Sequence, residues 1–339
     1  MRIQVNRRDF WSESFMKFDI VTIGDCQIDY FVRVEDYRIA PAQAGRSAGL
    51  VLNYAQKIPI SEFKFFYGGN ALNTAVGFRR LGLKVGIHAC VGKDAGGSAI
   101  LEHIRRENID RSQIRVQNGV ETDKSVVIVT GGERTILTYH SRKNYNFSNR
   151  LQSKWVYLTS LGAGYEKIYK GVETLISRSA AKLAFNPGTR QLKHSIAAVR
   201  RLVKYTDLLF VNFEEAQKIA GGKTGDAKRL LARLNSLGAK NAIVTDGIKG
   251  AYAFDGKLFL KIGSFPAKRV DATGAGDAFA SGTTAALVTG LSLGEALRWG
   301  SVNAASEIAQ IGVQNGLLTK NRLLDVLKKH PGFAVKQFK

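Results

Sequence analysis

The sequence predicts an α/β protein in which a doubly wound, mostly parallel sheet lies between two layers of helices and carries a small β-structured lid. Three observations predict it. Short apolar, β-branched runs alternate with amphipathic stretches through most of the 339 residues, which is the pattern of βαβ units. Two glycine-rich turns, GGNALNTA at 68–75 and GAGD at 274–277, each lead into a helix of small residues. A β-rich segment, KSVVIVTGGERTILTYH at 124–140, interrupts the alternation as a hairpin about Gly131 and Gly132. With 45% hydrophobic and 23% charged residues, the chain can bury the core of one large domain or of two modest ones.

Taken in order, residues 1–18 lack periodicity and read as a disordered extension, and MKFDIVTIGD from Met16 opens like a first strand. Strands are expected at 19–25, 84–92, 155–160, 182–186, 207–212 and 241–246, each a short β-branched run. Helices are expected over 71–81, 96–107, 226–237 with Asp226 as N-cap, 275–289 and 293–310. Residues of about 30–67 hold short apolar stretches without a clean helix. Together with about 120–145 they form the lid segments of a domain spanning 19–330, and residues 331–339 read as a basic tail. A flap of this kind covers a site and keeps water from it.

Composition narrows the function classes. Cys26 and Cys90 sit in apolar strand contexts without metal-ligand spacing and read as buried thiols. Neither a run of eighteen apolar residues nor a signal-peptide pattern occurs, so a cytoplasmic protein with no membrane association is expected. Lys and Arg number 50 against 28 acids, for a net charge of +22, but they are scattered through helices without interleaved aromatics. That favours a solvated surface that draws in an anionic nucleotide over a nucleic-acid partner. GGKTG at 221–225 lacks the earlier glycine of a P-loop, because position 217 is Gln. The first strand is followed by a single glycine, which fails the dinucleotide pattern, and the five histidines have no zinc spacing.

The glycines of GAGD let the N–H groups of a first helical turn approach an anion, with the helix dipole aiding. Asp277 there has a plain structural reading as a cap or dipole partner. The second glycine turn, with the flap between the two in sequence, points instead to a cleft holding phosphates at one end and a polar small molecule at the other.

At these residues the chain resembles the PfkB family of carbohydrate kinases, with the ribokinase-like fold, from about 19 to 330. Gly68, Gly69, Ala71, Asn73 and Ala75 match its first signature. Asp271, Thr273, Gly274, Ala275, Gly276 and Asp277 match its second, while Ala272 stands where a hydroxyl, Pro or Val is usual. VNFEEA carries the family's N-x-x-E at Asn212 and Glu215, and TDGIKG at 245–250 is similar to its nucleotide turn. The resemblance implies ATP-dependent transfer of a phosphoryl group to a sugar hydroxymethyl group. It makes Asp277 the general base and the N–H groups of Gly274, Ala275, Gly276 and Asp277 an anion hole. Asp29, Gly68, Gly69 and Asn73 would bind the sugar. Asn212, Thr245, Gly247, Gly250 and Asn303 would bind the nucleotide, and Lys249 is either a phosphate contact or a surface lysine. Glu215 would organise Mg²⁺ through its waters, and Asp271 and Thr273 a monovalent cation such as K⁺.

Asn70 stands where ribokinase proper has a lysine, and Ser160 where it has a sugar-binding glutamate, so ribose is not the favoured substrate. Asp25 reads as a strand-end cap, and Arg134 as an exposed hairpin arginine in preference to a contact for a carboxylate or phosphate on the acceptor. A nucleoside kinase of the same family and a non-catalytic sugar- or nucleotide-binding protein stay open as alternatives. A homodimer formed through the lid strands is a further expectation from the family.

Overall fold

The computed structural model describes residues 17–43, 48–131, 133–147 and 151–338. The chain enters through β1 (Phe18–Ile23), then leaves the main layer for β2 (Gln27–Val34), the short pair β3 (Arg38–Ala40) and β4 (Gly49–Val51), and β5 (Ile60–Gly68). It returns through α1 (Asn70–Arg80) and β6 (Val85–His88), continues as β7 (Cys90–Gly92), α2 (Ala95–Arg106) and β8 (Arg115–Gln117), and forms the hairpin β9 (Asp123–Thr130) and β10 (Glu133–Tyr139). Alternating units follow: β11 (Ser153–Leu158), α3 (Glu166–Arg178), β12 (Lys182–Phe185), α4 (Thr189–His194), α5 (Ile196–Val203), β13 (Leu208–Asn212), α6 (Phe213–Ala220), α7 (Ala227–Ser236) and β14 (Asn241–Thr245). The chain ends with β15 (Ala251–Phe254), β16 (Phe259–Ile262), α8 (Ala275–Val288), α9 (Leu293–Ile308), α10 (Lys320–Lys329) and β17 (Lys336–Gln337).

The main sheet has the order β17-β16-β15-β14-β13-β12-β11-β1-β6 and is parallel from β14 to β6. Successive residues of its strands feed opposite cores. Trp155, Tyr157, Leu208, Phe210 and Ile243 join one with α1, α8 and α9, while Val156, Leu158, Leu209, Val211 and Val244 join the other with α3, α5 and α7. Burial on both faces explains why these strands read as unbroken apolar runs. Because β1 has β6 on one side and β11 on the other, the winding reverses there, and a crevice opens at the carboxyl ends of the strands.

Four strands, β10-β9-β2-β5, make a second sheet, with β2 parallel to β9 and the other pairs antiparallel. The hairpin expected at 124–140 is β9 and β10, paired from Thr130↔Glu133 outward. The single strand expected at 84–92 is divided. The pairing of β6 with β1 ends at Ile23↔His88, and past that point the chain has no neighbour in the main sheet, so β7 turns away to pair with β8. Three antiparallel strands extend the sheet past β14, and the basic tail supplies the outermost, with Phe338 against Tyr252 and Phe259. The extension read over residues 1–18 lies outside the described residues, apart from Lys17 and Phe18. Among the described residues no helix is long and apolar enough to cross a membrane.

Asp226 caps α7 as expected, accepting from the N–H groups of Lys228 and Arg229. Asp94 does more than cap α2. It accepts from Gly97 N at 2.7 Å and also takes Thr122 N at 2.8 Å and Thr122 Oγ1 at 2.6 Å, tying the helix to the start of β9. Asp94→Ala is expected to lower stability by about 2 kcal/mol, because a cap and a tertiary link are lost together. A urea titration at unchanged m-value measures it.

Candidate active site

A cavity of about 630 Å³ lies in the crevice, lined on the main-sheet side by Asp25, Asn73, Glu215, Gly274 and Asp277, with Asp29 reaching it from β2 of the small sheet. The small sheet contributes Ser125, Val127, Ile136, Thr138 and His140 to the opposite wall. The two glycine turns, which place Asn73 and Asp277 204 residues apart in sequence, thus open into one space.

Gly274 is the N-cap of α8 and has φ of 81°, a left-handed conformation that suits glycine. Asp277 follows in the first turn, so its carboxylate shares the helix start with N–H groups that have no helical acceptor. A Cβ at Gly276 would meet nothing within 4 Å, so that part of the turn stands open. Asp277 is buried and accepts from Asn73 Nδ2 at 2.9 Å. Burial pushes its carboxyl up to about 7, with the Asn73 hydrogen bond opposing and the charge of Asp29 adding to the rise.

Gly69, with φ of 93°, is the N-cap of α1 and sets Asn73 in its first turn. Gly68 lies so close to the Asp29 carboxylate that a side chain there would collide with it. Asp29 accepts from Gln27 Nε2 at 2.6 Å and from Ser125 Oγ at 2.5 Å, and burial raises its carboxyl above the usual range. Of the expected acceptor residues, Asp29, Gly69 and Asn73 line the cavity, and Gly68 backs it.

One group of residues carried no sequence signal. Asp25 is buried and accepts from Tyr145 Oη at 2.6 Å, with Lys143 Nζ at 3.5 Å, and Lys143 also bonds Asp123 at 2.5 Å. His140 Nδ1 is 3.0 Å from the same Asp123. Asp25 is therefore part of a buried ion cluster and not merely a strand-end cap. Burial alone would lower the Lys143 ammonium, but Asp25 and Asp123 outweigh it and hold the group above its usual range. Asp25, Asp123 and His140 are close enough to offer ligands to a metal, but the ammonium of Lys143 already takes that position between the carboxylates. Lys143 lies in SRKNYN, whose spacing says nothing about a carboxylate 118 residues away.

On the nucleotide side, Asn212 and Glu215 form a reciprocal capping box at the start of α6, each accepting from the other's backbone N–H at 2.9 Å. Glu215 keeps its second oxygen for the cavity it lines, and burial raises its carboxyl. A hard-oxygen donor so placed fits a magnesium ion held through water. Asn212 and Thr245 are register neighbours at the carboxyl ends of β13 and β14, and Gly247 and Gly250 flank the turn after β14. These four lie outside the cavity itself. Lys249 is exposed and 3.3 Å from Asp246, which makes it a surface lysine of that turn.

Asn303 is a correction. It is fully buried between α8 and α9, where its Nδ2 donates to Ala278 O at 2.8 Å and its Oδ1 accepts from Leu318 N at 3.0 Å. Its amide is spent on helix packing and presents nothing to a base. Asp271 and Thr273, the residues expected at a monovalent cation, are hydrogen-bonded to each other and to the loop after α9. Asp271 Oδ1 accepts from Thr273 N and Oγ1 at 2.8 and 2.6 Å, and Oδ2 accepts from Gly312 N at 3.2 Å. Arg134 adds its charge 3.8 Å away, so the hairpin arginine meets this carboxylate, while the cavity that holds Asp277 is lined by other residues.

A family model described as pfkB family carbohydrate kinase matches residues 18–320. The chain is 25% identical over 276 residues to a ribokinase of Haemophilus influenzae, covering 78% of this chain and 89% of that one. It is also 25% identical over 316 residues to a nucleoside kinase of Methanocaldococcus jannaschii, covering 92% and 97%. The solved structure of Arabidopsis thaliana ribokinase complexed with ribose and ATP is similar in fold, with a TM-score of 0.78 at 21% identity over 92% of this chain and 99% of that one.

A carboxyl raised to about 7 costs stability from the ordinary carboxylate value upward, where the unfolded chain releases a proton that the folded chain must hold or lose at a penalty. The folded group binds its proton more tightly than the unfolded one, so stability falls as pH rises from the ordinary carboxylate value toward 7. Asp277→Asn is therefore expected to match the parent's melting temperature near pH 4 and to exceed it by several degrees at pH 8. Thermal scans across that range measure the gap, which should stay constant above pH 8.

Proposed function

From the premise that the chain belongs to the pfkB family of carbohydrate kinases, and so is an ATP-dependent phosphotransferase, we propose that it phosphorylates a hydroxymethyl group of a sugar bound in this cavity. One observation supports the reading most: a buried carboxylate and an open helix N-terminus face the same space as a second, hydroxyl-binding carboxylate. Asp277 takes the proton of the acceptor hydroxyl, and the N–H groups of Gly274, Ala275, Gly276 and Asp277 hold the negative charge of the transferring group. Asp29 accepts from neighbouring hydroxyls of the sugar, which supply the donors a buried acid requires. Asn73 keeps Asp277 oriented.

Thr245, Gly247 and Gly250 form the nucleotide turn, with Asn212 beside them. Glu215 would hold magnesium through water, and the ion would supply charge that neutralises the phosphates. The small sheet closes over the acceptor and excludes water that would otherwise accept the phosphoryl group. A nucleoside acceptor is the second reading, favoured by the cross-strand neighbours Val127 and Ile136, an apolar part of the lining that suits a base.

ADP release with Mg-ATP over fructose, ribose, 2-keto-3-deoxygluconate, adenosine, inosine and cytidine separates the readings. Turnover with a sugar supports the first reading, and turnover with nucleosides alone overturns it in favour of the second. In Asp277→Asn, kcat should fall about 10²–10⁴-fold. The parent's kcat should rise with pH through a midpoint of about 7, where the base ionises, and the variant should lack that limb.

We further propose that the small sheet pairs with a second copy of the chain. Its outer strands expose Phe63 and Phe65 on β5 and Leu137 on β10, each more than half accessible. Phe63→Lys with Phe65→Lys should give a monomer by light scattering where the parent is a dimer.

A further inference from the structure

We propose that Gln314, in the loop between α9 and α10, is a positioning residue that sets the direction of the Asn73 amide and so presents a donor to Asp277. Gln314 Nε2 donates to the backbone carbonyl of Tyr67 at 2.9 Å and to Asn73 Oδ1 at 3.0 Å. Asn73 Nδ2 in turn donates to Asp277 Oδ2 at 2.9 Å. A carbonyl oxygen can only accept, so Tyr67 O admits one orientation of the Gln314 amide, and that orientation admits one of Asn73. Gln314 Oε1 then faces His103 Nε2 at 2.7 Å, and the ring must carry its proton on Nε2. His103 is stacked on Tyr67 with centroids 4.2 Å apart, and burial lowers its imidazolium below the usual range, so the neutral ring is the one that donates.

The loop is anchored separately. Arg80 Nη1 donates to the Gln314 carbonyl at 2.6 Å and the Arg80 side chain pairs with Glu107 at 2.6 Å, so the loop's position does not depend on the Gln314 amide. The titratable groups that face Asp277 are Asp29 from β2, Tyr157 from β11 and Glu307 from α9. Those facing the far end of the relay are His103, Arg106, Glu107 and Arg80. None of them donates to Asp277, so the Asn73 amide is its side-chain donor among the described residues. A reversed amide would turn an oxygen toward the carboxylate and repel it. Tyr67 and Gly68 end β5, so the relay also ties the base to the strand of the small sheet that borders the acceptor.

The role in catalysis rests on the kinase reading above, but the relay can be tested without it. In the parent protein, ¹⁵N spectra of His103 should show the neutral Nε2–H tautomer, and the Nδ1–H tautomer would mean a reversed Gln314 and overturn the proposal. Gln314→Met keeps the volume and removes the donors. Its Asp277 carboxyl, followed by ¹³C titration and assigned with Asp277→Asn, should titrate about one pH unit higher than in the parent. With turnover in hand, kcat should fall about 10-fold with KM for either substrate changed less than about twofold, and the acid limb should move up with the titration. Arg80→Met should lower the melting temperature and leave that limb in place. An unmoved Asp277 titration in Gln314→Met would reduce Gln314 to loop packing, whereas a relay that behaves as described in a protein without turnover would sink the kinase reading alone.

Discussion

The hydrogen bond from Asn73 to Asp277 is the contact on which the site depends. It joins the first turns of α1 and α8, which come from glycine turns 204 residues apart, inside a fully buried setting. Each helix starts at a glycine of positive φ, Gly69 and Gly274, so both enter the core at an angle that a side chain would disfavour. With the helices so placed, one carboxylate and the open N–H groups of α8 share a cavity wall. Weakening the turn at Gly69 would take the Asn73 amide away from the Asp277 carboxylate.

Around that contact the molecule tolerates charges that a core optimised for stability would omit. Asp25, Asp29, Asp123 and Asp277 are all buried, and each is handled differently. Asp123 and Asp25 share the ammonium of Lys143, Asp29 is held by two neutral donors, and Asp277 has the single amide of Asn73. The gradation has a chemical consequence. Against burial, His140 and Lys143 hold the Asp123 carboxyl below the usual range, whereas burial raises Asp25 and Asp29 and pushes Asp277 up to about 7, where it can exchange a proton. Asp25 and Asp29 line the same cavity as Asp277, which sits in the first turn of α8.

The elements of this fold and part of its site could be read from local pattern. Strands of the main sheet were legible because burial on both faces forces apolar runs, and the hairpin of β9 and β10 because β-rich arms flank two glycines. Asp277, Asn73 and Asp29 were legible because a motif records residues whose spacing along the chain is held by one turn or one strand. The division of 84–92 was not, since it depends on where β1 ends beside it. Asn303 was misread for a related reason: an asparagine on a helix is the same letter whether it faces a ligand or, as here, the neighbouring helix.

Sequence alone determined the alternation that builds a parallel sheet, the two turns that expose helix N–H groups, and the acids beside them. Each of these is decided by the backbone preferences and polarity of residues near one another in the chain. Only the tertiary structure decided which buried groups pair. Lys143 meets Asp25 across 118 residues and Gln314 meets Asn73 across 241, and no periodicity links such positions. Pairing of this kind is decided by desolvation, which acts on whatever polar groups folding brings into the same dry space.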